Sequence, residues 1–210
     1  QYPQQQQQQQ TIPQTQTTTQ QTTAVAGGSC TVPDSEILND PEEQKFIVLI
    51  NQYRQGLGLS ALTSSAILSK MSAWIGNDNN TRQVLSHEPD SLNRTRYQRA
   101  ADCGMTQSSL NSEILTGGVG DFDAQKAFNN FKNSSSHNTE MVRANLVQIG
   151  VDRNVRVKQD GFASIIWSVN MQPYNDGTTA PTSNVNPTAI PSPTLTVRTT
   201  IIDLYPTSTT

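Results

Sequence analysis

The sequence predicts an α+β domain in which helices pack on a small antiparallel sheet. Segments with apolar residues at helical spacing come first, alternating or continuous apolar runs follow, and no strand-helix-strand repeat is present to build a parallel sheet. Both ends are rich in Gln, Thr, Ser and Pro and hold too little apolar surface to offset the entropy of ordering. The expected organisation is therefore an N-terminal tail over 1–32, a domain over 33–172 and a C-terminal tail over 173–210.

The first helix is read from Glu42 to Gln55. Phe46, Leu49, Ile50 and Tyr53 repeat along one face, Asp40 is placed to cap it, and Gly56 and Gly58 stop it. A second helix is capped within Thr63 to Ser65 and carries Ile67, Met71 and Trp74 on one side, with Leu68 and Ile75 broadening a stripe best read as core. The polar run NDNNTRQ then leads to Val84-Leu85-Ser86-His87. A short helix is expected over Arg94 to Ala101, ending near Cys103-Gly104. Asp123 caps the next one, whose Ala124, Ala127, Phe128 and Phe131 give a single buried face up to the polar break Asn133 to Ser136. His137 follows that break, where a helix is expected to hand over to a sheet.

Strands are expected at Leu146 to Val151, Val155 to Val157 and Ser164 to Met171, with Asp160-Gly161 turning between the last two. The final strand, in which Ile165, Trp167, Val169 and Met171 alternate, is expected to offer an open sheet edge. In the C-terminal tail, Thr194 to Tyr205 is β-branched with partial alternation, a candidate strand if a partner edge is supplied.

A net charge of -3, without a basic run or aromatic-basic interleaving, argues against nucleic acid as a partner. No apolar run approaches the roughly 18 residues of a transmembrane segment. Gln1 in place of an initiator Met is the expected mark of a trimmed chain. Cys30 and Cys103 are an even pair, expected to form a disulfide in an oxidising compartment, against the alternative of two unrelated thiols. Sequons at Asn79, Asn93 and Asn133 mark candidate glycosylation sites of a secreted or cell-surface protein.

Candidate chemistry falls to His87, Glu113 and His137, in the words Leu85-Ser86-His87, Asn111-Ser112-Glu113-Ile114-Leu115 and Ser134-Ser135-Ser136-His137. With Asn51, Arg54, Gly58, Leu59 and Leu62 in the register N-x-x-R-x-x-x-G-L-x-x-L, the order of these words resembles the CAP superfamily, also called SCP or PR-1-like domains. Arg99 and Gly104, Phe131-x-x-Ser134-x-x-His137, Ile149-Gly150-Val151 and Trp167 continue the resemblance over residues 40 to 171. It implies an α-β-α sandwich whose cleft is lined by His87, Glu113 and His137. The chain departs from the family pattern at Ile114, where an Asn is usual, at Phe131, where a Trp is usual, and at Ser134, where many eukaryotic members have a second cleft glutamate.

Two imidazoles and a carboxylate are the donor set of an open zinc site, so His87, Glu113 and His137 are candidate ligands for Zn²⁺ or another divalent metal, which would support a metal-assisted hydrolase. Ser134 or Ser136 beside His137 would be the nucleophile of an acyl-transfer alternative. The resemblance implies instead a noncatalytic secreted module that binds a small apolar or sterol-like ligand at the cleft. A third reading is a structural subunit of an extracellular filament or surface layer, other copies of the chain being joined through the tails by strand addition.

Overall fold

The computed structural model describes residues 30–106 and 112–180, and the fold is α+β as expected. The N-terminal run up to residue 29, Asn111 and the candidate strand Thr194 to Tyr205 lie outside the described residues. A single 3-10 turn at Asp34–Glu36 precedes the first helix.

Helix α1 spans Pro41–Gly56. Asp40 and Glu43 form a reciprocal capping box, Pro41 occupies the first turn, and Gly58 turns away at a φ of 73° that a glycine adopts without strain. The residues of the N-x-x-R-x-x-x-G-L-x-x-L register have clear physical work. The Asn51 side chain donates to the Leu62 carbonyl and accepts from the Leu62 amide, as a neighbouring strand would. Arg54 is fully buried and donates from Nε to the Ser60 carbonyl and from Nη1 to the carbonyls of Met141 and Arg143.

Helix α2 spans Ala66–Arg82, capped by the Ser65 hydroxyl. It swallows most of the polar run expected to be a connection, because Asp78, Asn79 and Asn80 are buried rather than exposed. Ile67 and Trp74 flank the buried face formed by Leu68, Met71, Ser72 and Ile75, and the Arg94 guanidinium lies over the Trp74 ring. Helix α3, Arg96–Asp102, starts at a Thr95–Gln98 capping box. Helix α4, Ala124–Asn133, buries the four residues its pattern announced. His137 does not sit at a helix-to-sheet junction: after a break at Ser134 the chain re-enters a helix, α5, over Ser135–Met141.

The strands are β1, Thr63–Ser64; β2, Ser112–Val119; β3, Gln148–Val157; and β4, Ala163–Gln172. The two short strands expected over 146–157 are one strand. Their order in the sheet is β1-β3-β4-β2, with β1 parallel to β3 and the other neighbours antiparallel. The sheet is thus mixed, and β4 is central; the outer strand on that side is β2.

Alternation sends the two faces of the sheet into different surroundings. On one, Ile114, Val151, Trp167, Val169 and Met171 join Phe46 and Ile50 of α1 and Phe131 of α4 in the main core. Phe46 meets the Phe131 ring edge-on at 5.8 Å, and the Trp167 indole N–H donates to the Phe122 carbonyl. On the other, α2 packs on β3 and β4 through polar groups. Ser72 donates to the Gly150 carbonyl, Ser168 to the Ser72 carbonyl and Asn170 to the Ser72 hydroxyl. The Asn80 amide nitrogen donates to the carbonyls of Asn154 and Ser164.

Cys30 and Cys103 are joined, as expected, in a disulfide that spans 73 positions and ties the N-terminal segment to the end of α3. Closing a loop of that length stabilises the domain by about 4 kcal/mol in the chain-entropy account. Beyond β4, residues 173–180 pack back on the domain instead of leaving it. Asp176 accepts from Ser65 and Gln172, Thr178 accepts from the Ala66 amide, and Ala180 is buried in the main core.

Candidate functional site

The centre of the site is Glu113, whose place follows from strand alternation. It pairs with Asn170 of β4 and shares the α2 side of β2, and the residue is 6% exposed. A buried carboxylate needs a countercharge. Arg99 supplies it: from α3 its fully buried guanidinium donates through Nη2 to both Glu113 oxygens, at 3.3 and 3.1 Å. The same nitrogen donates to the His87 carbonyl at 3.0 Å. Glu113 in turn lies 3.0 Å from His87 Nδ1. An ionised carboxylate can only accept, so this bond places the imidazole proton on Nδ1. His87 is thereby held by its ring through Glu113 and by its backbone through Arg99, with its side chain 48% exposed.

His137, in the first turn of α5, sets its ring edge-on to Phe131 at 5.3 Å, and its buried Nδ1 has no hydrogen-bond partner. Burial, and after it the neighbouring charge of His87, push its pKa below the ordinary histidine value. The structure therefore joins His87 directly to Glu113, and places His137 near enough to sense His87. Ser134 shares a hydrogen bond with Ser136 at 3.3 Å, and neither hydroxyl bonds His137. The nucleophile-base pair required for acyl transfer is not formed here.

The metal expectation meets the same geometry. Among the described residues, no group of three His, Cys, Asp or Glu side chains is placed to hold a metal ion. Both oxygens of Glu113 face a guanidinium, and His87 Nδ1 is committed to Glu113. His87, Glu113 and His137 as arranged do not fit a three-ligand cation site.

Two features of the neighbourhood were not evident from the residues alone. Arg99, in the polar word Tyr97-Gln98-Arg99, reads as a solvent-facing residue until α3 is docked; only the resemblance singled it out. Ser112 donates to Glu140 of α5, which also pairs with Arg143. Burial pushes the Glu140 carboxyl upward, but the Ser112 and Arg143 hydrogen bonds outweigh it and leave the pKa below the ordinary value. This cross-link fixes the α5 end of the cleft to β2. Of the three sequons, Asn93 and Asn133 are exposed, whereas Asn79 is fully buried and its amide nitrogen donates to the Ser86 carbonyl at 2.9 Å, an arrangement without room for a glycan.

Helices on both faces of a four-stranded sheet, with a His-Glu-Arg cluster at one end of β2, define the class. The sequence pattern of the cysteine-rich secretory protein family, CAP, matches residues 47–171, and the chain belongs to that family. In three dimensions it is similar to an outer surface protein from Borrelia burgdorferi, with a TM-score of 0.51 and 19% identity over 61% of this chain and 91% of that one. An extracellular protein containing a SCP domain from Bacillus anthracis gives a TM-score of 0.49 and 18% identity, covering 60% of this chain and 39% of that one. A cysteine-rich secretory protein from Staphylococcus aureus gives 0.42 and 15%, covering 60% and 38%. At 19% identity the likeness to the Borrelia burgdorferi protein is one of fold alone. No curated protein matches the chain. No helix among the described residues is long and apolar enough to cross a membrane.

Proposed function

We propose that this chain is a secreted or cell-surface CAP module that binds a small neutral ligand at the His87 cleft and does not catalyse a reaction. The observation that carries the reading is the Arg99–Glu113 ion pair. A carboxylate already matched by a buried guanidinium offers no net charge to a ligand, and both of its oxygens are engaged by that guanidinium. What the cluster offers is a positioned imidazole at His87, with the unpartnered Nδ1 of His137 nearby. A hydroxyl on an otherwise apolar body, as in a sterol-like molecule, suits such a site. The Cys30–Cys103 disulfide supports an oxidising, extracellular location. Glycans, where added, belong at Asn93 and Asn133.

The test is an NMR titration of the intact protein with 25-hydroxycholesterol as the neutral sterol probe, alongside hydrolysis assays on short-chain aryl esters and unstructured peptides. The His87 and His137 ring signals should shift saturably, with hydrolysis no faster than in His87→Ala. Saturable hydrolysis that His87→Ala abolishes would overturn the noncatalytic reading. Ring signals indifferent to the probe would remove the sterol-like ligand.

A further inference from the structure

At the opposite end of β2 from Glu113, three observations coincide. First, β2 is the terminal strand of the sheet. The Gly120 amide donates to the Ala163 carbonyl in the same register as Val119↔Ser164, so the even-numbered residues of β2 bond to β4. The odd-numbered residues, Gly117 and Val119 among them, therefore aim their N–H and C=O groups away from β4, and no strand of the described residues pairs with them. Gly117 and Val119 are exposed, the latter 67%.

Second, α2 covers β3 and β4 but leaves this part of β2 bare, opening a groove of about 400 Å³. Val84, Leu85, Val119 and Ile166 give it an apolar lining, and Val84 and Leu85 are themselves 40% and 53% exposed. Third, Lys158 lines the same groove, and its ammonium has no ion-pair partner among the described residues.

A bare edge beside an apolar groove with one unmatched cation fits an extended, β-branched segment carrying a single acid near its apolar residues. We propose that the occupant is the chain's own segment Thr194 to Tyr205, added to the outer edge of β2 at Gly117 and Val119. Its sequence TLTVRTTIIDLY is rich in β-branched residues, and Asp203, its one acid, follows Ile201 and Ile202. The length of chain allows it. The last described residue is Ala180, and two residues before it Thr178 is hydrogen-bonded to Ala66 and Gln148 on the β1 side of the sheet. From there to Val119 is three strand spacings across and seven residues along, roughly 27 Å. Residues 181 to 193 span at most about 43 Å when extended. Tethering raises the local concentration of the segment to about the millimolar range, so a modest intrinsic affinity closes it. His87, Glu113 and His137 do not line this groove, although Leu85 lies two residues from His87, and the readouts at Gly117 and Val119 are distinct from the ring signals that test the cleft.

The experiment uses the full chain and a variant in which Ile202→Pro removes a backbone donor from the middle of the segment without touching the domain. Amide hydrogen exchange is followed by NMR at Gly117 and Val119, with Val169 in the central strand as a control. The full chain should exchange at Gly117 and Val119 about tenfold more slowly than the variant, with Val169 unchanged. Asp203→Lys should weaken that protection, and Lys158→Glu combined with it should restore it. Equal exchange in the full chain and Ile202→Pro would overturn the proposal. Protection that vanishes on dilution would overturn closure by the chain's own segment, since a tethered strand is independent of concentration.

Discussion

The two faces of the sheet are held by opposite means. Against α1 and α4, the rings of Phe46, Phe131 and Trp167 exclude water, and the contact is strong without being exacting about any one hydrogen bond. Against α2, the backbones nearly touch: a Cβ added at Gly150 would fall 2.1 Å from the Leu68 carbonyl carbon. Around that contact Ser72, Asn80, Ser168 and Asn170 exchange directional bonds. Glu113 stands on this second side, across from Asn170. The comparison assigns stability chiefly to the apolar face and the positioning of the cleft to the polar one.

Substitutions on each face can break that assignment. Trp167→Ala, removing a fully buried indole, should cost about 3 to 5 kcal/mol in urea unfolding. Gly150→Ala should cost about 3 kcal/mol because the obstacle is helix backbone, which cannot move aside as a side chain would. It should also displace α2 and shift the His87 ring signals, which a loss of stability on the apolar face should not do. Asn80→Ala removes the amide that ties α2 to the Asn154 and Ser164 carbonyls, which keep their partners in the sheet, and about 1 kcal/mol is expected. If Asn80→Ala proved neutral while Trp167→Ala kept its full effect, the polar face would not be held by its hydrogen bonds.

The same contrast decides what was legible in the sequence. Helix α4 and the alternation of β4 were readable because their buried residues are apolar, so burial and hydropathy carry the same signal. Helix α2 was cut short because its second half buries Asp78, Asn79 and Asn80, which composition reads as exposed. Strand β2 escaped as an element because Gly117 and Gly118 end its apolar run. Within the site, His87, Glu113 and His137 were selected from their words and order, but the countercharge on Glu113 comes from α3 and becomes visible only once the helices are docked. His137 likewise looked like a junction residue, since a run of three serines suits a loop as well as a cap, and α5 is only seven residues long and starts without a side-chain cap bond.

A smaller effect follows from His137. Its folded-state pKa is depressed by burial and by His87, so the unfolded chain binds this proton first as pH falls. Its contribution to stability is complete above the ordinary histidine pKa of about 6.5 and is lost as pH drops through that value toward the folded one. Urea midpoints measured from pH 7.5 to 5 should decline, and His137→Gln should flatten the decline. A midpoint that rose on acidification and flattened in the variant would reverse the sign and place a negative partner beside His137.

The most direct measurement of the positioned cleft is the ¹⁵N chemical shift of the His87 imidazole in the intact protein and in Arg99→Met. In the intact protein, with the ring neutral, the proton should reside on Nδ1, and the two nitrogens should be well separated, as the bond to Glu113 requires. Losing the guanidinium should collapse that separation toward the average of a freely exchanging ring, because Arg99 fixes both Glu113 and the His87 backbone. An averaged His87 in the intact protein, or a proton held on Nε2, would contradict the account.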